Sequence, residues 1–109
     1  MAAGAPLAAG DPFGYLHQGT DGPVQHVVYR GQDGHIHELY TLSNKWVFNT
    51  LTASGGAPLA GGDPFGYLHQ AAAGPVQHVV YRSQNNDVVE LCTFGNAWMF
   101  NIITVSAMT

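Results

Sequence analysis

The chain has 109 residues, of which 46% are hydrophobic and only 9% charged, with a formal net charge of −4 at pH 7. Typical soluble domains carry roughly 25% charged residues, and the only cations here are Arg30, Arg82 and Lys45, so a basic patch for nucleic acid or an anionic membrane surface is excluded. The single cysteine, Cys92, rules out an intrachain disulfide, and no run approaches the ~18 apolar residues of a membrane-spanning helix.

The segment Pro23 to Arg30 returns letter for letter as Pro75 to Arg82, an offset of 52 residues. Residues 4–54 align with 56–106 without a gap, and 33 of the 51 positions are identical. A period near 50 marks a repeat array, so we divide the chain into repeat 1 (residues 1–54) and repeat 2 (residues 55–109). The N-terminus from Met1 to Pro6 has no basic region and no apolar run, so no secretory signal is expected. A soluble protein of undetermined compartment follows. Scarce charge and 14 glycines imply short strands, tight turns and much surface buried against further copies of the chain.

In chain order, Asp11-Pro12-Phe13-Gly14 and Asp63-Pro64-Phe65-Gly66 predict turns in which glycine supplies positive φ. Short first strands follow at Tyr15-Leu16-His17 and Tyr67-Leu68-His69. Polar loops at Gly19 to Gly22 and Ala71 to Gly74 lead into the identical segments, which read as second strands because they are β-branched, aromatic and too short for a helix. Asp33-Gly34 and Asn85-Asn86 then predict two-residue type I′ hairpins. Such turns set Tyr29 opposite Glu38, Arg30 opposite His37 and Val28 opposite Leu39. In repeat 2 the pairs are Tyr81–Glu90, Arg82–Val89 and Val80–Leu91. Third strands are expected at Ile36 to Leu42 and Val88 to Phe94. Turns at Ser43-Asn44-Lys45 and Gly95-Asn96-Ala97 precede fourth strands at Trp46 to Asn49 and Trp98 to Asn101.

Four short antiparallel strands per repeat, with no helical period, predict an all-β fold: a β-propeller built from four-stranded antiparallel blades, two blades per chain. A propeller needs roughly four to eight blades. Two-blade chains therefore have to associate head-to-tail, as a trimer closing a six-bladed ring or a tetramer closing an eight-bladed one, with the tetramer favoured.

In repeat 1, Gln25-His26-Val27-Val28-Tyr29-Arg30-Gly31, Asp33-Gly34-His35-Ile36-His37-Glu38-Leu39, Trp46, Asn49 and Leu51-Thr52-Ala53 resemble the repeat of the PLL-type bacterial lectins, and the resemblance covers essentially the whole chain, twice. That resemblance implies a seven-bladed β-propeller family that binds fucose and related sugars, multivalently, in pockets between blades. Two blades per chain depart from that number, and are similar to a fragment or an engineered propeller. Repeat 2 also replaces His35 and His37 by Asp87 and Val89.

Sugar recognition calls for an aromatic face and for polar groups to bind hydroxyls. Trp46 and Trp98 are the stacking candidates, backed by Tyr29 and Tyr81. Arg30, Arg82, Glu38 and Glu90, with His37, are the hydroxyl-binding candidates, since charge-assisted hydrogen bonds are the strong ones. The alternative is that these side chains pack and pair inside the blades, leaving a self-assembling scaffold or protein-interaction module that binds no sugar. Zinc needs three or four convergent ligands. His35 and His37 would share a face with the cation Arg30, so neither metal nor cofactor is expected. Asp11 and Asp63 precede prolines as turn residues, and no paired carboxylates, nucleophile elbow or phosphate loop point to catalysis.

Overall fold

A computed structural model describes residues 4–20, 22–53, 56–94 and 97–106. Within each repeat, alternating residues and turn-forming pairs produce a meander of four strands. These are β1 (Phe13–Gly19), β2 (Gly22–Arg30), β3 (Ile36–Leu42) and β4 (Lys45–Thr50), then β5 (Phe65–Ala71), β6 (Gly74–Arg82), β7 (Val88–Phe94) and β8 (Ala97–Ile102). They form two separate four-stranded antiparallel sheets in sequence order, the blade architecture expected. A single helical turn, α1 (Ile103–Ser106), follows β8. The repeat boundary at 54/55, the Gly95-Asn96 turn, Asp21 and the terminal overhangs lie outside the described residues.

The hairpin between β2 and β3 differs from the expected one. Tyr29 lies opposite His37, Arg30 opposite Ile36, and Val28 opposite Glu38; in the second sheet Tyr81 faces Val89, Arg82 faces Val88 and Val80 faces Glu90. The loop holds three residues rather than two. Gly34 N–H donates to the Gly31 carbonyl at 3.0 Å, and Gly31 N–H to the His35 carbonyl at 2.9 Å. Only Gly34 (φ 83°) and, in repeat 2, Asn86 (φ 69°) take the left-handed region. A type I turn followed by one left-handed residue is the three-residue hairpin; type I′ needs two such residues. The two-residue I′ pattern falls instead at Ser43 (φ 52°) and Asn44 (φ 65°), between β3 and β4.

A one-residue slip moves every side chain of a strand to the other face. Tyr29 and Glu38 therefore point to opposite sides of the sheet, as do Arg30 and His37. Nor do Gly14 and Gly66 serve turns: they sit inside β1 and β5 without positive φ.

The core lies between the two sheets. Val28 and Ile36 of the first sheet meet Val79, Tyr81 and Leu91 of the second, with Leu51, Ala57 and Ala60 of the connector closing the layer. Each large member is at most 4% exposed, which corresponds to about 1.5–3 kcal/mol apiece of apolar burial. At the inner edge β1 lies against β5, with the Phe13 and Phe65 rings 4.0 Å apart. Gly66 permits this approach, since a Cβ there would sit 2.4 Å from Cε1 of Tyr15. Each sheet also ties down the segment that precedes it: the Tyr29 hydroxyl donates to the Pro6 carbonyl at 2.7 Å and the Tyr81 hydroxyl to that of Pro58 at 2.6 Å. Burial pushes the Tyr81 phenol up to about 12, keeping it a donor.

Candidate functional site

The strand register assembles a site that spacing alone did not show. Across the first sheet, Tyr15, His26 and Tyr40 lie in one row, and Val28, Glu38 and Asn49 in the next. On the facing side of the second sheet, Gln77 lies beside Thr93, whose hydroxyl accepts from Gln77 N–H at 3.0 Å, and Thr93 lies opposite Trp98. Between these surfaces is a cleft of about 340 Å³ lined by His17, His26, Glu38, Tyr40 and Asn49 from one sheet and Gln77, Thr93 and Trp98 from the other. Its size falls within the range of small-molecule sites.

Its polar wall is a relay. His26 Nδ1 lies 2.7 Å from Glu38 Oε2, both side chains being 4% exposed. A carboxylate only accepts, so His26 donates from Nδ1, and its Nε2 accepts from His17 Nδ1–H at 2.8 Å. His17 Nε2 is left as an acceptor at the end of the chain. The Tyr15 ring stacks on His26 with centroids 4.9 Å apart and planes 11° from parallel. Its hydroxyl donates to Gln77 Oε1 at 3.1 Å, joining the two sheets. Burial raises the Tyr15 phenol far above its ordinary value, and the nearby Glu38 charge adds to the shift. Burial lowers His17, helped by His26 and opposed by Glu38. Repeat 2 carries the same relay, His69 Nδ1 to His78 Nε2 at 2.8 Å and His78 Nδ1 to Glu90 at 2.9 Å.

Of the residues singled out in the sequence, Glu38 and Trp98 come together in the cleft. Glu90 holds the second relay, and Trp46 lies 39% exposed on the outer face of the first sheet. Tyr29 and Tyr81 are buried and engaged with Pro6 and Pro58. Arg30 pairs with Asp63 at 3.3 Å, and Arg82 bonds the Gly61 carbonyl and Asn86. His37 is buried within the first sheet, bonded to Thr50 Oγ1 at 3.0 Å and to the Asp33 carboxylate at 3.0 Å. Partial burial works against the Asp33 carboxylate, but His37 and the His35 N–H outweigh it and hold the group below its usual range. No cluster of metal-ligating side chains occurs among the described residues.

His17, His26, Asn49, Gln77 and Thr93 were missed as site residues. Their signal was present: each is identical to its counterpart 52 positions away. Placing them on one cleft required the register, which the misread turn had inverted.

No protein-family model matches the chain, and no curated protein sequence does. Among solved structures it is similar to a fucose lectin from Kordia zhangzhouensis in complex with methyl-fucoside, with a TM-score of 0.67 and 21% identity over 89% of this chain and 66% of that one. At that identity the likeness is one of fold, and the chain spans about two thirds of that lectin's length. The shared all-β fold agrees with the architecture expected from the repeats. No described helix is long and apolar enough to cross a membrane.

Proposed function

We propose that the chain is a non-catalytic carbohydrate-binding module that takes a fucose-like monosaccharide in the cleft between its two blades. The observation carrying this reading is the convergence, in one 340 Å³ cleft, of the Trp98 indole with the Glu38–His26–His17 relay. An indole offers an apolar face to the C–H side of a sugar ring. The relay presents a fixed acceptor to a hydroxyl, and Asn49, Gln77 and Thr93 supply further donors and acceptors. A neutral ligand gives weak affinity per site, so useful avidity comes from several linked sites, which suits a PLL-like ring of three or four chains. The fold shared with a lectin supports the class of ligand.

The test is a titration with methyl-fucoside followed by tryptophan fluorescence and calorimetry, alongside a glycan array. Trp98→Ala is expected to weaken binding by about tenfold or more, as truncating an aromatic anchor costs about 2 kcal/mol. Retention of no sugar at millimolar concentration would favour the scaffold reading, which the exposed apolar sheet faces otherwise support.

A further inference from the structure

The junction between the sheets is heterologous: the first sheet offers one face and the second offers the other. Because the sheets are copies, each also carries the half that it leaves unused.

On the first sheet the unused half is an apolar cleft of about 570 Å³ whose lining includes Ala5, Ala8, Pro12, Val27, Tyr29 and Leu39. Fifty-two residues on, the same positions are Ala57, Ala60, Pro64, Val79, Tyr81 and Leu91, all buried. On the second sheet, Phe65, Tyr67 and Val88 are 50%, 40% and 39% exposed. Their counterparts Phe13 and Tyr15 are half-buried against the core, and Ile36 is 0% exposed.

Two further halves are polar or steric. The Tyr15 ring presses on Gly66, whereas a Cβ on Gly14 would meet nothing nearer than the His26 carbonyl at 3.6 Å. Gly14 is thus a groove in β1 shaped for a ring that this chain does not supply. Asp63 accepts from Arg30 and from Asp11 N–H across the junction, while its counterpart Asp11 is exposed and Arg82 turns back onto Gly61 and Asn86. The junction side chains Asp11, Phe13, Tyr15, Gln25, Arg30 and Trp46 are all identical to their repeat mates, although 18 of the 51 aligned positions differ.

We propose that the second blade of one chain docks head-to-tail on the first blade of a second copy, seating Tyr67 on Gly14, Phe65 on Phe13 and Arg82 on Asp11. This contact completes a second pocket, in which the Glu90–His78–His69 relay of one chain faces Gln25, Thr41 and Trp46 of the other. The occupant is a second copy because each surface already fits its counterpart inside the chain. Cys92 stands where the internal pocket has Tyr40, and Phe94 where it has Leu42, so the two pockets differ in shape. That the completed pocket takes a sugar rests on the proposed function; the docking rests on packing alone.

The test measures mass by light scattering and methyl-fucoside sites per chain by calorimetry. The wild-type chain should have three or four times the 11.6 kDa protomer mass and two sites per chain. A Cβ at position 14 makes only ordinary contacts within its own chain and valine suits a strand, so Gly14→Val should keep its strand circular dichroism, run as a monomer and bind one methyl-fucoside. Asp11→Arg and Arg82→Asp should each dissociate the assembly, and the double variant should restore it, which misfolding does not explain. A monomeric wild type, or a Gly14→Val chain that still assembles, overturns the docking. Assembly that responds to these variants but binds no methyl-fucoside upholds the docking and overturns the sugar reading.

Discussion

The two repeats solve one buried position in two ways, which permits a quantitative test. His37 in the first sheet lies opposite Thr50 and bonds it, while Val89 in the second lies opposite Ile102. Val89 is 0% exposed and Ile102 packs against the core. His37→Val trims a buried side chain of six heavy atoms to one of three, leaving a small void beside Tyr29 and Phe48 that adds to the loss of hydrogen bonds. The substitution removes one hydrogen bond to Thr50 and one to the Asp33 carboxylate. At about 1 kcal/mol per bond, discounted for Asp33 because it is 44% exposed, the expected cost of the bonds is about 1–2 kcal/mol. Thr50→Ile alone leaves His37 Nδ1 buried without its partner, at about 1–3 kcal/mol. Together the substitutions recreate the apolar pair of repeat 2, and replacing both partners by apolar groups is close to neutral. The double variant should therefore lie within about 1 kcal/mol of wild type, a coupling of about 2 kcal/mol. Urea unfolding followed by tryptophan fluorescence measures all four corners of the cycle. A double variant destabilised by the sum of the singles would refute the reasoning, and so would loss of methyl-fucoside binding in a folded His37→Val chain.

Three other outcomes are expected. The His17 imidazole lies below its ordinary value of 6.5, so the unfolded chain takes up that proton first; the stability it confers is complete above pH 6.5 and declines as pH falls toward the folded value. Urea midpoints should fall on acidification, and less steeply in His17→Gln; equal slopes would count against the relay. Gly66→Ala drives Tyr15 from its seat and off Gln77, so it should cost about 1–3 kcal/mol in chemical denaturation; a neutral result would contradict the close contact. Asn86→Val places a β-branched residue at φ 69° and should lower stability by about 1–2 kcal/mol, whereas Asn86→Gly should not; equal midpoints would discount the three-residue turn.

Much of the fold was legible because strand patterning and turn residues repeat. The third strands run over the expected residues, and Asn44 and Gly34 mark turns where left-handed backbone is needed. The site was less legible because it hangs on a single residue of loop length. Asp33-Gly34 suits either hairpin, since both place Gly34 in the left-handed region. What separates them is Asp33, which keeps negative φ while its carboxylate accepts from His35 N–H at 3.1 Å and from His37. Gly31 makes room for that arrangement: a Cβ there would lie 2.6 Å from Asp33 Oδ1. These contacts run between side chains on both sides of the turn, and no local pattern encodes them. Once the register is set, Glu38 moves from the Tyr29 side of the sheet to the His26 side, and the cleft follows.

The hydrogen bonds from Tyr29 to Pro6 and from Tyr81 to Pro58 bear on how a gene of this kind changes length. Each spans 23 residues and stays inside its own 52-residue unit. A tandem duplication therefore arrives with this fastening already in place, and a deletion removes both of its ends together, whereas the junction bonds from Tyr15 to Gln77 and from Arg30 to Asp63 have to be remade with a neighbouring unit. Sets such as Gly31, Asp33, His37 and Thr50 differ together from Ser83, Asn85, Val89 and Ile102, and in the second unit Val89 belongs to the core shared with the first sheet. Recombination can thus add or drop a four-stranded sheet in one step.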